Sequence, residues 1–244
     1  LLKLRARMAV AACLPDWAKA GGSCPYGHSS GILLGTWTWP SEGVGAVHYV
    51  AAFYSFMPML LLGGFVLLGF WTRGARELLA FLYQWICIWV MYALKLTFQQ
   101  RRPEGSCSTS CGMPSGHTLE SIGTLTWLLL EVFMAKSLEP KQKGSIAAIG
   151  GALLLPVGWS RVVFNDHSWP QVLAGAAFGV VVAVLWYGLL QQRIVLWLLK
   201  LIKSCLPFFQ LNYPIDHLPE EAPWNPSTGK VGYGSTAEEG AGVQ

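Results

Sequence analysis

Residues 44–71 read VGAVHYVAAFYSFMPMLLLGGFVLLGFW. As a helix, this apolar run is long enough to cross the roughly 30 Å of hydrocarbon in a bilayer. Residues 77–98, 117–135, 145–164 and 170–190 have the same character. These runs predict an all-α fold, a polytopic membrane helical bundle with about five transmembrane helices. The link between Thr72 and Arg76 is short, so the first two spans should be antiparallel neighbours. In the last span, Gly175-Ala176-Ala177-Phe178-Gly179 offers a small-xxx-small face for close helix contact.

Composition points the same way. The chain has 244 residues, 53% hydrophobic and 12% charged, against roughly 25% charged for a soluble domain. Its 12 tryptophans suit a membrane–water boundary. A net charge of +4, dispersed along the chain, excludes nucleic acid as a partner. Four segments follow: an N-terminal arm over 1–43, a membrane domain over 44–190, a basic apolar segment over 191–205 and an irregular tail over 206–244. Within the third, Arg193, Lys200 and Lys203 share a face opposite Ile194, Leu198 and Ile202. This fits a helix lying at the interface, or equally a cytosolic extension of the last span.

Three clusters carry the chemistry: Lys95…Arg102-Pro103, Pro114-Ser115-Gly116-His117 and Ser160-Arg161…His167. An unpaired charge at mid-bilayer costs roughly 2.5–3.5 kcal/mol on insertion scales, so a chain keeps such groups beside hydrocarbon when an anion pairs with them. A phosphate carried on a lipid is the natural anion. Alternating through five spans places the ends bearing Lys95, Arg102, His117, Arg161 and His167 on one membrane face. Lys95 and Arg102 are seven residues apart, two helical turns, and so can point the same way. Taken singly, each cation also fits ordinary snorkelling, and Arg101 reads as an interfacial anchor.

Pro114-Ser115-Gly116-His117 leads into a span, and the free N–H groups of a helix N-terminus bind anions. Gly116 permits close backbone approach, while the Ser115 hydroxyl can cap the helix or donate to phosphate. Glu120 reads as a capping-type carboxylate that can also tune His117. Arg161 offers a planar fork matched to phosphate oxygens. One imidazole can attack phosphorus and a second can protonate the leaving oxygen. No His/Cys/Asp grouping has metal-ligand spacing, so no metal or other cofactor is expected.

Lys95-x6-Arg102-Pro103, Pro114-Ser115-Gly116-His117 and Ser160-Arg161-x5-His167 resemble the three signatures of the type-2 phosphatidic acid phosphatase superfamily. The match covers roughly residues 44 to 190, and it implies a helical membrane phosphatase. It also implies that Lys95, Arg102 and Arg161 hold phosphate with help from Ser115 and Gly116. His117 would be the general acid and His167 the nucleophile that forms a phosphohistidine. The superfamily usually carries Asp four residues after that histidine; here the position is Gln171. A Gln carbonyl still accepts the imidazole N–H, without the charge that stabilises an imidazolium. On this reading an Asp at 171 should preserve or raise activity. Asp166 is expected to face solvent or cap its turn.

The stretch from His167 through Ser168-Trp169-Pro170-Gln171 to Gly175 is similar to the dolichyl-diphosphate phosphatase branch, which also carries Gln there. That resemblance implies hydrolysis of dolichyl diphosphate to dolichyl phosphate and phosphate at the endoplasmic reticulum. A broader lipid phosphate phosphatase is the alternative within enzymes. A structural subunit of a membrane complex with a relic site is the alternative outside them. The expected partners are a polyprenyl or other lipid phosphate and the membrane lipids.

Basic residues collect opposite the active face: Arg73, Arg76, Lys136, Lys141, Lys143, Arg193, Lys200 and Lys203. The active face should therefore be lumenal and the C-terminus cytosolic. Cys13, Cys24, Cys107 and Cys111 would then lie where disulfides persist. Cys107 with Cys111 and Cys13 with Cys24 are the local pairings, and pairing between arm and loop is an alternative.

Overall fold

The computed structural model describes residues 11–32, 35–73, 75–191, 204–205, 224–225 and 230–231. The segment expected as an interfacial helix lies almost wholly outside the described residues, as does most of the tail. The chain divides into two units, Leu1–Tyr213 and Pro214–Gln244.

The opening apolar run forms two helices in series, α2 (Ala46–Ser55) and α3 (Met57–Thr72), which follow a short helix α1 (Asp16–Lys19). Pro58 stands in the first turn of α3, where a missing N–H leaves no helical hydrogen bond unmade. After α4 (Ala75–Phe98) and α5 (Gly116–Met134), the same device recurs. Pro156 starts α7 (Pro156–Val163) directly after α6 (Pro140–Leu154), and α8 (Trp169–Leu190) completes the bundle. Ala46–Thr72, Arg76–Phe98, Pro140–Val163 and Trp169–Leu190 are each long and apolar enough to cross a membrane. Leu67 and Trp71 on α3 and Leu185 on α8 are 73%, 87% and 68% exposed, the apolar exterior that a lipid solvent requires.

Among the described residues, α5 differs from the four apolar spans, although its run was expected to make a fifth. It packs against α3, α4, α6, α7 and α8, and so meets protein where the others meet lipid. Thr118, Ser121 and Thr124 are buried on it. Gln84 Nε2 of α4 donates to Thr124 Oγ1 at 2.8 Å, and that hydroxyl donates to the Glu120 carbonyl at 2.7 Å. A central helix can carry such polar groups because neighbouring helices satisfy them. The contact between α5 and α8 is close at glycines. A Cβ on Gly179 would lie 2.5 Å from the Leu119 carbonyl oxygen, and one on Gly175 2.5 Å from that of Ser115. Around this seam Leu79, Tyr83, Cys87, Leu119, Trp127, Ala183 and Trp186 form the core.

The N-terminal arm contributes an antiparallel hairpin, β1 (Gly27–Ile32) with β2 (Gly35–Pro40). Trp37 of β2 packs edge-on to Phe56, with ring centroids 4.8 Å apart, and lies against Phe164. Two disulfides, Cys13–Cys111 and Cys24–Cys107, join the arm to the loop between α4 and α5. The arm-to-loop pairing therefore holds, and the local pairs do not form. A docked arm places its thiols over the loop, which proximity in sequence alone does not reveal. In the second unit, β3 (Trp224–Asn225) pairs with β4 (Lys230–Val231).

Candidate active site

The site is assembled at one end of the bundle. In the last turn of α4, buried Lys95 directs its ammonium to the Cys111 carbonyl. Gln99 adopts a left-handed conformation with φ 46°, just past the end of the helix. Arg102 is thus carried by a loop, and not by a further two turns of helix as its spacing from Lys95 implied. The loop holds it firmly. Arg102 Nε and Nη2 donate to the Ser110 carbonyl and hydroxyl, each at 2.9 Å. Its Nη1 donates to the Asp166 carbonyl at 2.8 Å and lies 3.1 Å from His167 Nε2.

Ser115 precedes α5 as its N-cap, but its hydroxyl makes no capping bond. It accepts instead from Thr118 Oγ1 at 3.0 Å, while its N–H donates to the Gln171 carbonyl at 3.0 Å. Gly116 packs tightly, since a Cβ there would sit 3.0 Å from Met91 Cγ. His117 Nε2 is buried with no hydrogen-bond partner among the described residues. His117 and Glu120 line a cavity of about 50 Å³ whose remaining walls include Pro58, Met59, Ile88 and Met91.

Arg161, 1% exposed, ends the fourth run. Its Nη2 pairs with Asp166 Oδ2 at 2.7 Å and its Nη1 donates to Ser55 Oγ at 3.3 Å. The chain then folds back on itself. The N–H groups of Asp166 and His167 both donate to the Arg161 carbonyl, at 3.0 and 3.2 Å, with Asn165 at φ 52°. This turn drives Asp166 inward, against the expectation that its side chain faces solvent or caps the turn. Its carboxylate is fully buried and accepts from the Thr38 N–H at 3.0 Å, Thr38 Oγ1 at 2.7 Å and Ser106 Oγ at 3.1 Å. Two of these donors lie on β2 and the third on the α4–α5 loop. The local signal that could have exposed it was a carboxylate five residues past a buried arginine.

Gln171 fixes the nucleophile candidate. Its Nε2 donates to Gln100 Oε1 at 3.0 Å and to the Arg101 carbonyl at 2.8 Å, so its own oxygen must face the other way. That oxygen meets the Ser168 N–H at 3.3 Å, one half of a capping box, and His167 Nδ1 at 3.2 Å. An acceptor at Nδ1 selects the tautomer with Nδ1 protonated. The lone pair then sits on Nε2, the nitrogen that faces Arg102. Gly112 makes the arrangement possible, because a Cβ there would come within 2.7 Å of both amide atoms of Gln171.

His167 is 2% exposed. Burial above all, then the charges of Arg102, Lys95 and Arg161 with His117 beside them, hold its imidazole well below the ordinary histidine range. The ring is therefore neutral at pH 7. The three cations and two imidazoles lie within electrostatic reach of one another, so all five key residues read from the sequence meet at this one site. Arg101, expected as an interfacial anchor, instead reaches Asp16 at 3.4 Å and the Ala12 carbonyl at 3.3 Å.

Residues 76–194 match the PAP2 superfamily. Dolichyldiphosphatase 1 of Rhinolophus ferrumequinum is 27% identical over 158 residues, which cover 59% of this chain and 65% of that relative. The chain thus spans somewhat under two-thirds of the length of this curated relative. No solved structure matches.

Proposed function

We propose, on the premise that residues 76–194 belong to the PAP2 superfamily, that the protein is a membrane lipid phosphatase acting on a polyprenyl diphosphate of the dolichyl kind. The observation that carries this reading is His167, held in one tautomer by Gln171 with its Nε2 lone pair turned toward Arg102. The match to a dolichyldiphosphatase supports the substrate class.

Lys95, Arg102 and Arg161 hold the terminal phosphate, together with the α5 N-terminus at Ser115 and Gly116. Arg102 exchanges its bonds to Ser110 for phosphate oxygens. His167 Nε2 attacks phosphorus, forming a P–N bond as the P–O bond to the leaving group breaks. The Gln171 carbonyl accepts the Nδ1–H while the ring gains positive charge. His117, brought to its protonated form by the negative charge of the bound diphosphate, gives a proton to the departing oxygen. Water then attacks the phosphohistidine, its proton passes to His117, and phosphate and neutral His167 are restored. A neutral amide at 171 suits a diphosphate, whose phosphate leaving group needs less help than an alcohol. The apolar walls of the cavity beside His117 suit the first carbons of the lipid.

The two arm-to-loop disulfides support a lumenal active face at the endoplasmic reticulum, with a cytosolic C-terminus. The test is phosphate release by purified protein in detergent, comparing dolichyl diphosphate with phosphatidic acid in the presence and absence of a chelator. Faster release from the diphosphate, indifferent to chelation, is expected. Preference for phosphatidic acid would move the reading to a broad lipid phosphate phosphatase. Inertness toward both would leave a structural subunit of a membrane complex.

A further inference from the structure

Asp166 forms a buried ion pair with Arg161 at the site, and nothing in the reaction above uses it. Its side chain pairs with Arg161 and its main-chain carbonyl takes Arg102, so one residue is bonded to both guanidinium groups. The next residue in the chain is the nucleophile. We infer that Asp166 is the positioning residue of the site, aligning the forks of Arg161 and Arg102 on the phosphoryl group that His167 attacks. This rests on the phosphatase reading and adds a residue to it.

The carboxylate is itself immobilised. Oδ1 takes the hydroxyls of Thr38 and Ser106, and Oδ2 takes the Thr38 N–H beside the Arg161 bond. Thr38 Oγ1 in turn accepts the Cys107 N–H at 2.8 Å, next to the Cys24–Cys107 bridge. A buried arginine could point its donors in several directions. A carboxylate clamped on both oxygens, with Ser55 Oγ on Nη1, restricts the guanidinium to one plane. Alignment matters most where bonds are half-formed, so its loss should appear in the chemical step more than in binding. Binding responds in the opposite sense, because removing a negative charge beside three cations favours an anion.

Two variants of the full chain separate these effects. Asp166→Ala removes acceptor and charge together. Asp166→Asn removes the charge but can keep its oxygen on Arg161 and the Thr38 N–H, with its NH2 turned to two hydroxyls that are able to accept. In detergent, kcat would be measured on dolichyl diphosphate, and affinity for inorganic phosphate by calorimetry. Non-reduced peptide mapping would confirm that both disulfides are intact. Expected for Asp166→Ala is a fall in kcat of about tenfold or more with phosphate affinity undiminished. Expected for Asp166→Asn is a smaller fall in kcat with tighter phosphate binding. Equal losses of kcat in both variants would overturn the proposal in favour of net charge alone. Unchanged kcat in both would overturn it outright, as would loss of phosphate affinity in step with loss of kcat. If Asp166→Ala does not fold, Asp166→Asn decides, since an unchanged kcat and phosphate affinity there also overturns the idea. Wild-type protein that neither binds phosphate nor turns over would instead sink the phosphatase reading.

Discussion

Gln171 uses both ends of its amide, accepting from His167 and Ser168 while donating to Gln100 and to the Arg101 carbonyl. A carboxylate at this position would set an oxygen against two acceptors. Asp in place of Gln therefore has a different expected outcome from the one that the imidazole contact alone implies. Gln171→Asp and Gln171→Glu should each lower kcat about tenfold or more, in keeping with about 1–3 kcal/mol for unpaired buried acceptors. Phosphate-release assays on variants of normal thermal stability would check this, and activity at or above wild type would refute it. His167→Ala should abolish turnover, and acid-labile phosphate trapped from labelled substrate should map to His167; label on His117 would reverse the two roles. The pH profile supplies a third check at this scale. The site holds His167 neutral well below the ordinary histidine value, and protonation would disable the proposed nucleophile as pH falls. The acidic limb of kcat/KM that belongs to His167 should accordingly lie below pH 6.5.

Between elements, the seam of α5 and α8 is the most demanding contact. Gly179→Ala would press a Cβ to 2.5 Å from the Leu119 carbonyl oxygen and 2.9 Å from the Gly123 nitrogen, both backbone atoms that cannot step aside. It should destabilise the protein by about 1–3 kcal/mol, seen as a lower unfolding temperature in detergent. Gly144→Ala, with open space around its Cβ, is the matched control. The small-residue pattern of this seam was readable in the last apolar run, because lipid-facing helices announce themselves by composition. So were the cations and imidazoles, since hydrocarbon makes such residues conspicuous. The interior of α5 was harder, as Thr118, Ser121 and Thr124 are silent about whether lipid or protein surrounds them. Asp166 was harder still. Its partners Ser106 and Thr38 stand 60 and 128 positions away, on a loop and a strand that only the folded chain brings to it.

On the scale of the molecule, the N-terminal arm and the α4–α5 loop behave as one stitched unit above the bundle. The loop supplies the Cys111 carbonyl to Lys95 and Ser110 to Arg102, so it holds two of the proposed phosphate ligands while two disulfides hold it. Reduction of the native protein should lower its stability by about 2–4 kcal/mol per bridge and depress activity with it. Thermal unfolding and phosphate release with and without reductant would measure both. Non-reduced peptide maps should recover the pairs 13–111 and 24–107; recovery of 13–24 would contradict the docked arm. The pairing also sets a schedule for biogenesis. Cys13 and its partner are 98 residues apart, so at ~5–20 residues per second the arm waits on the order of ten seconds for the loop to be made. Two apolar runs must enter the membrane during that interval, while Cys24 is already at hand as a wrong partner. In the oxidising lumen proposed for this face, an early Cys13–Cys24 bond would have to be undone by thiol–disulfide exchange before the two arm-to-loop bridges could form.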